Sequence, residues 1–383
     1  VHISNWFFLS DKPIIYKVAL EGAKVNLLRS AKSDQWNYQY LIDAFPADTT
    51  AIKTQAPLPN LDLKQIVLKN VAFQYKDAWI GTDYEVAVGK FLISAKEIDL
   101  QKGKLDIHSI DGENITIGII EYTGGRPYRK RVKKIRDYRT STPFKPDHWE
   151  IAVDQLSLLK SRLFITYPDV PIPEDFFDDR HLDITNINTE ISNISIVGDT
   201  IKGKLERLTA HDRSGLAIQE MRSDITVSPN LSECKNLYLK TNNSELTHYY
   251  AMHYNHFPDF LDYIEKVKMV GKFSASKIGV NDILYFTDAI ERVRNHSVFL
   301  SGTAEGTVSD LSSDKIVVFD GENKFEGDLS LVGIPATETM RIHSNQAQII
   351  GTGNGALKYL PELKNNKNIA LEQLGFLKIE GSF

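Results

Sequence analysis

The chain has 383 residues, of which 42% are hydrophobic and 25% charged, so it can build a sizeable core and is not disordered by composition. Its 45 basic and 50 acidic side chains give a formal net charge of −5, which provides no overall basic field and argues against a nucleic-acid partner. The single cysteine, Cys234, excludes an intramolecular disulfide and a cysteine-based zinc cluster.

The two ends of the chain and its hydropathy indicate a piece of a longer protein. The first residue is a valine, the last residues read as a strand, and there is neither a run of 18 apolar residues nor a signal peptide at the start. We therefore expect a segment of a longer protein, and a membrane anchor could lie in its other part. One cysteine suits the cytoplasm and a bacterial periplasm equally, so the composition leaves the compartment open.

Alternation of apolar and polar residues predicts an all-β, mainly antiparallel fold. Strands are predicted at 24–28, 71–75, 114–120, 182–196, 225–227, 237–239, 317–319 and 377–379. Turn pairs between them predict hairpins at Glu21-Gly22, Asp111-Gly112, Gly198-Asp199, Asp320-Gly321 and Gly327-Asp328.

A few segments depart from this alternation. Near the start, Trp36, Tyr40, Leu41 and Phe45 share one helical face, which predicts a short helix that caps the apolar face of the sheet. Two further short amphipathic helices are predicted at 258–268 and 281–294. The glycine-rich stretch at 351–359 predicts a hairpin turn.

Five stretches of the chain align with one another in nearly the same register, each with an apolar run, a turn-tolerant pair and a second apolar run. Their anchor residues Val18, Ile66, Ile110, Leu156 and Leu208 are 48, 44, 46 and 52 residues apart. Chance alignment in a β-rich chain is the alternative. If the repeats are real, each unit continues the apolar face of its neighbour into one extended sheet. The predicted units are 12–58, 59–102, 103–148, 149–200 and 201–247, followed by a helix-containing insertion at 248–297 and further strands at 298–383.

A basic segment is the most conspicuous polar feature, and it could bind lipid phosphates or an acidic partner, or be a solvated insertion. Its cationic residues are Arg126, Arg129, Lys130, Arg131, Lys133, Lys134, Arg136 and Arg139.

Motifs for metal binding and catalysis are missing from the sequence. The histidines His248, His253 and His256 and the acidic stretch at 174–181 lack the spacing of metal ligands. No nucleophile elbow or phosphate-binding loop occurs. We expect no enzyme activity, no cofactor and no metal.

Four stretches resemble a known family. They are PNLDLKQIVLKNVAFQYKDAW from Pro59, WNYQYLIDAF from Trp36 after LEGAKVNLLRS, GLAIQEMRSDITVSP from Gly215 and HYYAMHYNHFPDF from His248. In order and spacing they resemble the AsmA-like superfamily, most closely the TamB (translocation and assembly module) proteins of the Bacteroidetes type, over nearly the whole chain.

The resemblance implies an elongated, curled, taco-like β-sheet with an apolar groove and a few short helices. It further implies a periplasmic protein of a Gram-negative bacterium, anchored in the inner membrane and reaching toward the outer membrane. Such proteins conduct phospholipid between the membranes and support outer-membrane biogenesis with a barrel of the BamA/TamA class. The anchor and the barrel-binding domain would lie outside this chain.

An apolar lining would serve lipid transport, because each CH₂ of an acyl chain gains about 0.8 kcal/mol on leaving water. The predicted lining residues are Val18, Leu20, Ile66, Leu68, Phe73, Ile110, Ile117, Leu156, Leu158 and Ile165. The same residues could instead pack a closed sandwich core. Two other functions stay open: a scaffold for outer-membrane β-strands along a sheet edge, and a β-solenoid that binds or cleaves polysaccharide.

Overall fold

The computed structural model describes residues 1–3, 14–44, 62–99, 103–127, 149–174, 176–288, 290–334, 340–359, 361–365 and 370–383. Most of these residues lie in β-strands, most strand pairs are antiparallel, and the few helices are short. The prediction of a mainly antiparallel all-β fold is confirmed. The chain divides into two compact units, Val1–Arg213 and Ser214–Phe383, and their boundary lies inside the predicted repeat 201–247.

The first unit contains ten described strands. They are β1 (His2–Ile3), β2 (Ile14–Glu21), β3 (Lys24–Arg29), β4 (Asp62–Leu63), β5 (Gln65–Asp77), β6 (Thr82–Asp99), β7 (Lys104–Glu121), β8 (Glu150–Thr166), β9 (Asp183–Val197) and β10 (Thr200–His211). The helix α1 (Gln39–Ala44) follows β3, and a 3₁₀ helix (Asp179–His181) precedes β9.

Parallel strand pairings occur at two places in this unit, which the sequence did not predict. Strands β2 and β3 both run parallel to β5, and β7 runs parallel to β8, while β5–β6–β7 and β8–β9–β10 are antiparallel. A parallel pair cannot be joined by a tight turn. The chain therefore uses the long connections 30–64 and 122–149 at these two places.

Left-handed residues interrupt the strands of this unit: one lies between β2 and β3, and others lie within β5, β7 and β8. Gly22, Asn70, Asn114 and Lys160 occupy matching positions and have φ values of 65°, 50°, 53° and 49°. The strand register continues on both sides of them. Glycine and asparagine adopt this conformation at the lowest cost, which explains why the positions look like turns in the sequence.

Two of the five predicted hairpins are present in the structure. Gly198-Asp199 joins β9 to β10, and Asp320-Gly321 lies between two later strands, so these two hairpins are confirmed. The other three are wrong. Glu21-Gly22 lies at the end of β2, but β2 and β3 both pair with β5 and so do not form a hairpin. Asp111-Gly112 and Gly327-Asp328 lie inside strands.

The second unit is an antiparallel meander. Its strands are β11 (Ala217–Ser228), β12 (Leu231–Thr241), β13 (Glu245–His253), β14 (Lys268–Gly279), β15 (Ser297–Gly306), β16 (Asp310–Phe319), β17 (Lys324–Val332), β18 (Arg341–His343), β19 (Ala347–Thr352) and β20 (Phe376–Gly381). Each strand pairs with the next, except that β17 pairs with β18 at one end and with β19 at the other. Strand β14 of the predicted insertion is therefore part of this sheet.

The helix predicted at 258–268 is present as a 3₁₀ turn (Phe257–Asp262) that leads into α2 (Tyr263–Lys266). The helix predicted at 281–294 is wrong, because α3 (Val280–Ile283) ends after four residues and only a 3₁₀ turn (Glu291–Val293) follows. The side-chain amide of Asn281 donates to Asn295 Oδ1 at 2.9 Å. A straight helix would separate these two residues by about 21 Å.

The glycine-rich stretch after β19 also differs from its prediction. It forms α4 (Gly353–Leu357) instead of a hairpin turn, and the Thr352 hydroxyl caps it by accepting from the Gly355 amide. Short 3₁₀ turns at Pro361–Asn365 and Leu371–Gln373 precede β20.

Candidate functional site

One face of the first unit's sheet is built from rows of apolar residues that face one another across neighbouring strands. The first row crosses seven strands and contains Val18, Ile66, Ile93, Ile110, Leu156, Ile191 and Leu205. Two residues further along the strands, the next row contains Leu20, Leu68, Phe91, Gly112, Leu158, Thr189 and Leu208. Residues two apart in a strand share a face, so both rows belong to one surface.

The same surface continues in both directions along the strands. Further rows contain Ile98, Leu105, Ile151, Ile196 and Ile201; Ala95, Ile107, Val153 and Ile194; Val71, Val88 and Ile115; Val25, Phe73, Val86, Ile117, Leu163 and Ile184; and Leu27, Tyr75, Tyr84, Ile119 and Ile165. We call the seven rows together the apolar face. None of their members carries a charged side chain.

Contacts across the left-handed positions show that the face is continuous. A Cβ at Gly112 would lie 2.6 Å from Ile115 Cδ1 and 2.7 Å from Leu158 Cδ2. A Cβ at Gly203 would lie 3.2 Å from Ile191 Cγ2 and 3.4 Å from Ile194 Cγ1. Residues on both sides of each irregular position thus point to the same side of the sheet.

The structure places all ten predicted lining residues on the apolar face. None of them is buried: eight are half-buried, and Leu20 and Ile117 are 45% and 44% exposed. The side chains of Ile98, Ile107 and Val153 are buried and lie together at one end of the face. In the described part of the unit, the middle of the face is therefore open to solvent on one side.

Sequence reasoning missed the contribution of β6, β9 and β10. In β6 the apolar residues Val86 and Val88 and then Phe91 and Ile93 face the same side, so the alternation changes parity around Gly89. Such a strand does not follow one strict alternation of apolar and polar residues over its whole length, so the alternation alone does not predict its apolar side. The glycine at the point of change was the available signal.

Trp36 covers the Tyr75 end of the apolar face. Its ring lies 4.9 Å from the ring of Tyr75, and the guanidinium of Arg29 lies 4.7 Å from the Trp36 ring centre. Of the other predicted cap residues, Tyr40 and Leu41 are 68% and 48% exposed, and Phe45 lies outside the described residues. Among the described cap residues, Trp36 is thus the one whose ring packs on a ring of the sheet.

An ion pair closes the same end. Arg29 forms a bidentate pair with the buried carboxylate of Asp77, which also accepts from the Ile80 amide at 3.2 Å and the Tyr75 hydroxyl at 3.3 Å. Burial alone would raise the pKa of Asp77, but the bonds from Arg29 and Ile80 outweigh it and lower the pKa. Burial and the neighbouring Asp77 raise the pKa of Tyr75. The apolar face therefore ends at a fixed polar cluster.

The edge of β3 that does not pair with β5 is hydrogen-bonded to the segment that carries Trp36. The Asn37 amide N–H donates to the Leu28 carbonyl at 2.8 Å, and the Asn37 side chain accepts from the Leu28 amide and donates to the Asn26 carbonyl. Asn37 mimics a neighbouring strand there. This part of the edge is not open for pairing with another polypeptide, as a strand-templating scaffold would require.

The second unit has a related apolar face that its own chain partly covers. Cys234, Tyr250, Gly271 and Ala304 form one row across β12 to β15. Over it lies Tyr263 of α2, whose hydroxyl is 3.2 Å from the Tyr250 hydroxyl. Burial raises the pKa of the Cys234 thiol, so this cysteine behaves as a packing residue.

The polar candidates from the sequence do not assemble into a site within the described residues. In the basic segment Arg126 is described, with its amide N–H donating to the Trp79 carbonyl, and the other seven residues lie outside the described ranges. His256 pairs with Asp259, and the His181 ring bonds to Asp178 at 2.6 Å. Among the described residues, no group of three histidine, cysteine or acidic side chains could hold a metal ion.

In the described part of the chain no helix is long and apolar enough to cross a membrane. The chain was also compared with known proteins, and no protein-family model, curated protein or solved structure matches it.

Proposed function

We propose that the apolar face of the first unit binds the acyl chains of phospholipids and lets them slide along the strands. The observation that carries this proposal is the seven-row surface, which has no charged member. None of its ten predicted lining residues is buried. Contiguous apolar surface of this kind on a folded chain marks a binding surface.

The dimensions suit such a ligand. Strands β6 and β7 have 18 residues each, which corresponds to about 60 Å along the sheet, compared with about 30 Å for the hydrocarbon core of a bilayer. An acyl chain can therefore lie fully on the face. Because hydrophobic contact is non-directional, a lipid can move from row to row without crossing a single tight site.

The process that we propose for this surface is the movement of phospholipid between the inner and outer membranes across the periplasm. Assembly with an outer-membrane barrel of the BamA/TamA class belongs to the same proposal, through parts outside this chain. Both rest on the resemblance to the TamB proteins. The uncharged face supports them, because an aqueous gap is a barrier to acyl chains at about 0.8 kcal/mol per CH₂.

The test is to purify the chain without detergent and to analyse it by native mass spectrometry and lipid extraction. We expect bound phospholipid, released on unfolding. The control is a variant with two aspartates on the apolar face, Leu158→Asp with Ile117→Asp, which should lose the lipid. A wild-type protein that is lipid-free and takes up no phospholipid from vesicles would refute the proposal.

A further inference from the structure

The opposite, outer face of the second unit's sheet carries an unusual row of residues near one end of its strands. In register across β12 to β17, β19 and β20 it contains Lys240, Glu245, Lys277, Phe299, Phe319, Lys324, Ile350 and Lys378. We call this set the basic–aromatic row. It combines four lysines and three apolar side chains with a single acidic residue.

Two phenylalanines stand at the centre of the row and are turned to solvent. Phe299 and Phe319 are 48% and 39% exposed, and their ring centres are 6.5 Å apart. Their sequence neighbours Leu300 and Val318 point to the apolar side of the sheet, so the two rings lie on the opposite, solvent-facing side. An exposed aromatic pair on the solvent-facing side of a sheet indicates a contact surface.

The lysines on either side of the pair give the row its charge. Lys277 lies opposite Phe299 and Lys324 opposite Phe319, so a cation flanks each ring. Lys324 and Lys378 lie 2.7 Å from Glu326 and Glu380, and these pairs are solvent-exposed and weak. Lys240 and Lys277 are exposed and lie on the two sides of Glu245.

We propose that the basic–aromatic row docks the protein on the surface of an anionic phospholipid bilayer. Aromatic rings settle at the boundary between headgroups and acyl chains, and lysines beside them are attracted to lipid phosphates. The row offers both at once and on one face. This contact is separate from the acyl-chain surface of the first unit, and it would hold the protein at a membrane where lipid enters or leaves.

The test is flotation of the full chain with vesicles of phosphatidylglycerol and phosphatidylcholine, against vesicles of phosphatidylcholine alone. The wild type should float with the anionic vesicles, and added salt should weaken this binding. The variant Phe299→Ser with Phe319→Ser should bind about tenfold more weakly, and so should Lys277→Glu, which keeps the rings and reverses one charge. Val317→Ser, on the same face but outside the row, should bind like the wild type.

Leu158→Asp separates the two surfaces, because it alters the apolar face alone. It should lose bound lipid but still float. The docking proposal is overturned if the phenylalanine and Lys277 variants float like the wild type, or if neutral vesicles bind equally well. It is also overturned if these variants only turn a dimer into a monomer, because the row would then join two copies of the chain.

Discussion

Val18 of β2 lies directly opposite Ile66 of β5 in a parallel pairing. Ile110 and Leu156 form the same kind of pair between β7 and β8, and Ile66 and Ile110 both face Ile93. Four of the five sequence anchors therefore belong to one row of the apolar face. The four anchors are regularly spaced in the chain because a similar number of residues brings the chain from one of these positions in the row to the next.

The fifth anchor deviates by one row. Leu208 lies opposite Thr189, in the row of Leu158, and Leu205 is the residue in the row of Leu156. The register shift between Leu205 and Arg207 accounts for the extra residue. A β-bulge of this kind changes the count of residues without changing the face.

A charge in the middle of the apolar face should remove lipid and leave the fold intact. Leu158→Asp puts a carboxylate among Gly112, Thr189 and half-buried leucines, and we expect bound phospholipid to fall about tenfold because an acyl chain cannot solvate the charge. Lipid content by mass spectrometry and circular dichroism measure the two effects. Gln155→Asp, on the outer face between Ser109 and Ser192, is the matched control and should keep its lipid.

Removing the Trp36 ring should destabilise the Tyr75 end of the sheet. Trp36→Ala loses the contact with Tyr75 and the cation–π contact with Arg29, so we expect the free energy of unfolding to fall by about 1–2 kcal/mol. Urea unfolding measures this change. The exposed Tyr40→Ala should change stability by less than about 0.5 kcal/mol. If the two variants were equally stable, Trp36 would not hold this end of the sheet.

The left-handed residues should tolerate glycine and reject β-branched side chains. Asn114 has a φ of 53°, so Asn114→Val should cost about 1–2 kcal/mol and Asn114→Gly much less. Thermal unfolding compares the two variants with Thr116→Val, two residues along the same strand, where valine suits the extended backbone. Equal stability of Asn114→Val and wild type would contradict the left-handed assignment.

The second unit should lose stability in acid through Asp320. Burial alone would raise its pKa, but bonds from the Asn323 amide and the Tyr359 hydroxyl lower the pKa to about 2. Because the ordinary pKa of an aspartate side chain is 3.8, the stabilisation is complete above about pH 4 and is lost as the pH falls toward 2.

Tyr359→Phe tests this acid dependence. It removes one donor, so the pKa of Asp320 should rise and the acid-dependent part of the stability should shrink, which urea unfolding at several pH values measures. Tyr285→Phe is the control, since the Tyr285 hydroxyl donates to the Gly215 carbonyl and, within the described residues, to no carboxylate. An unchanged acid profile in Tyr359→Phe would show that this hydroxyl does not set the pKa.

Local patterns predicted the β-rich fold, whereas the role of the lining residues stays a prediction. In strands such as β7 and β8 the side of the sheet follows from the alternation of residues, and apolar side chains such as Ile117 and Leu163 pair across the strands as the pattern requires. The helix at 281–294 was predicted from the same kind of periodicity and is wrong. There Asn281 bonds to Asn295, a contact between distant residues that no local pattern encodes.

The sequence by itself determined the β-rich fold and the uncharged character of one face. These features follow from backbone preferences and side-chain alternation, which act within a few residues. Only the tertiary structure decided that β7 runs parallel to β8, that β6 changes parity at Gly89 and that Trp36 covers Tyr75. Such pairings depend on the free energy of contacts between distant segments, and many registers satisfy the local pattern equally well.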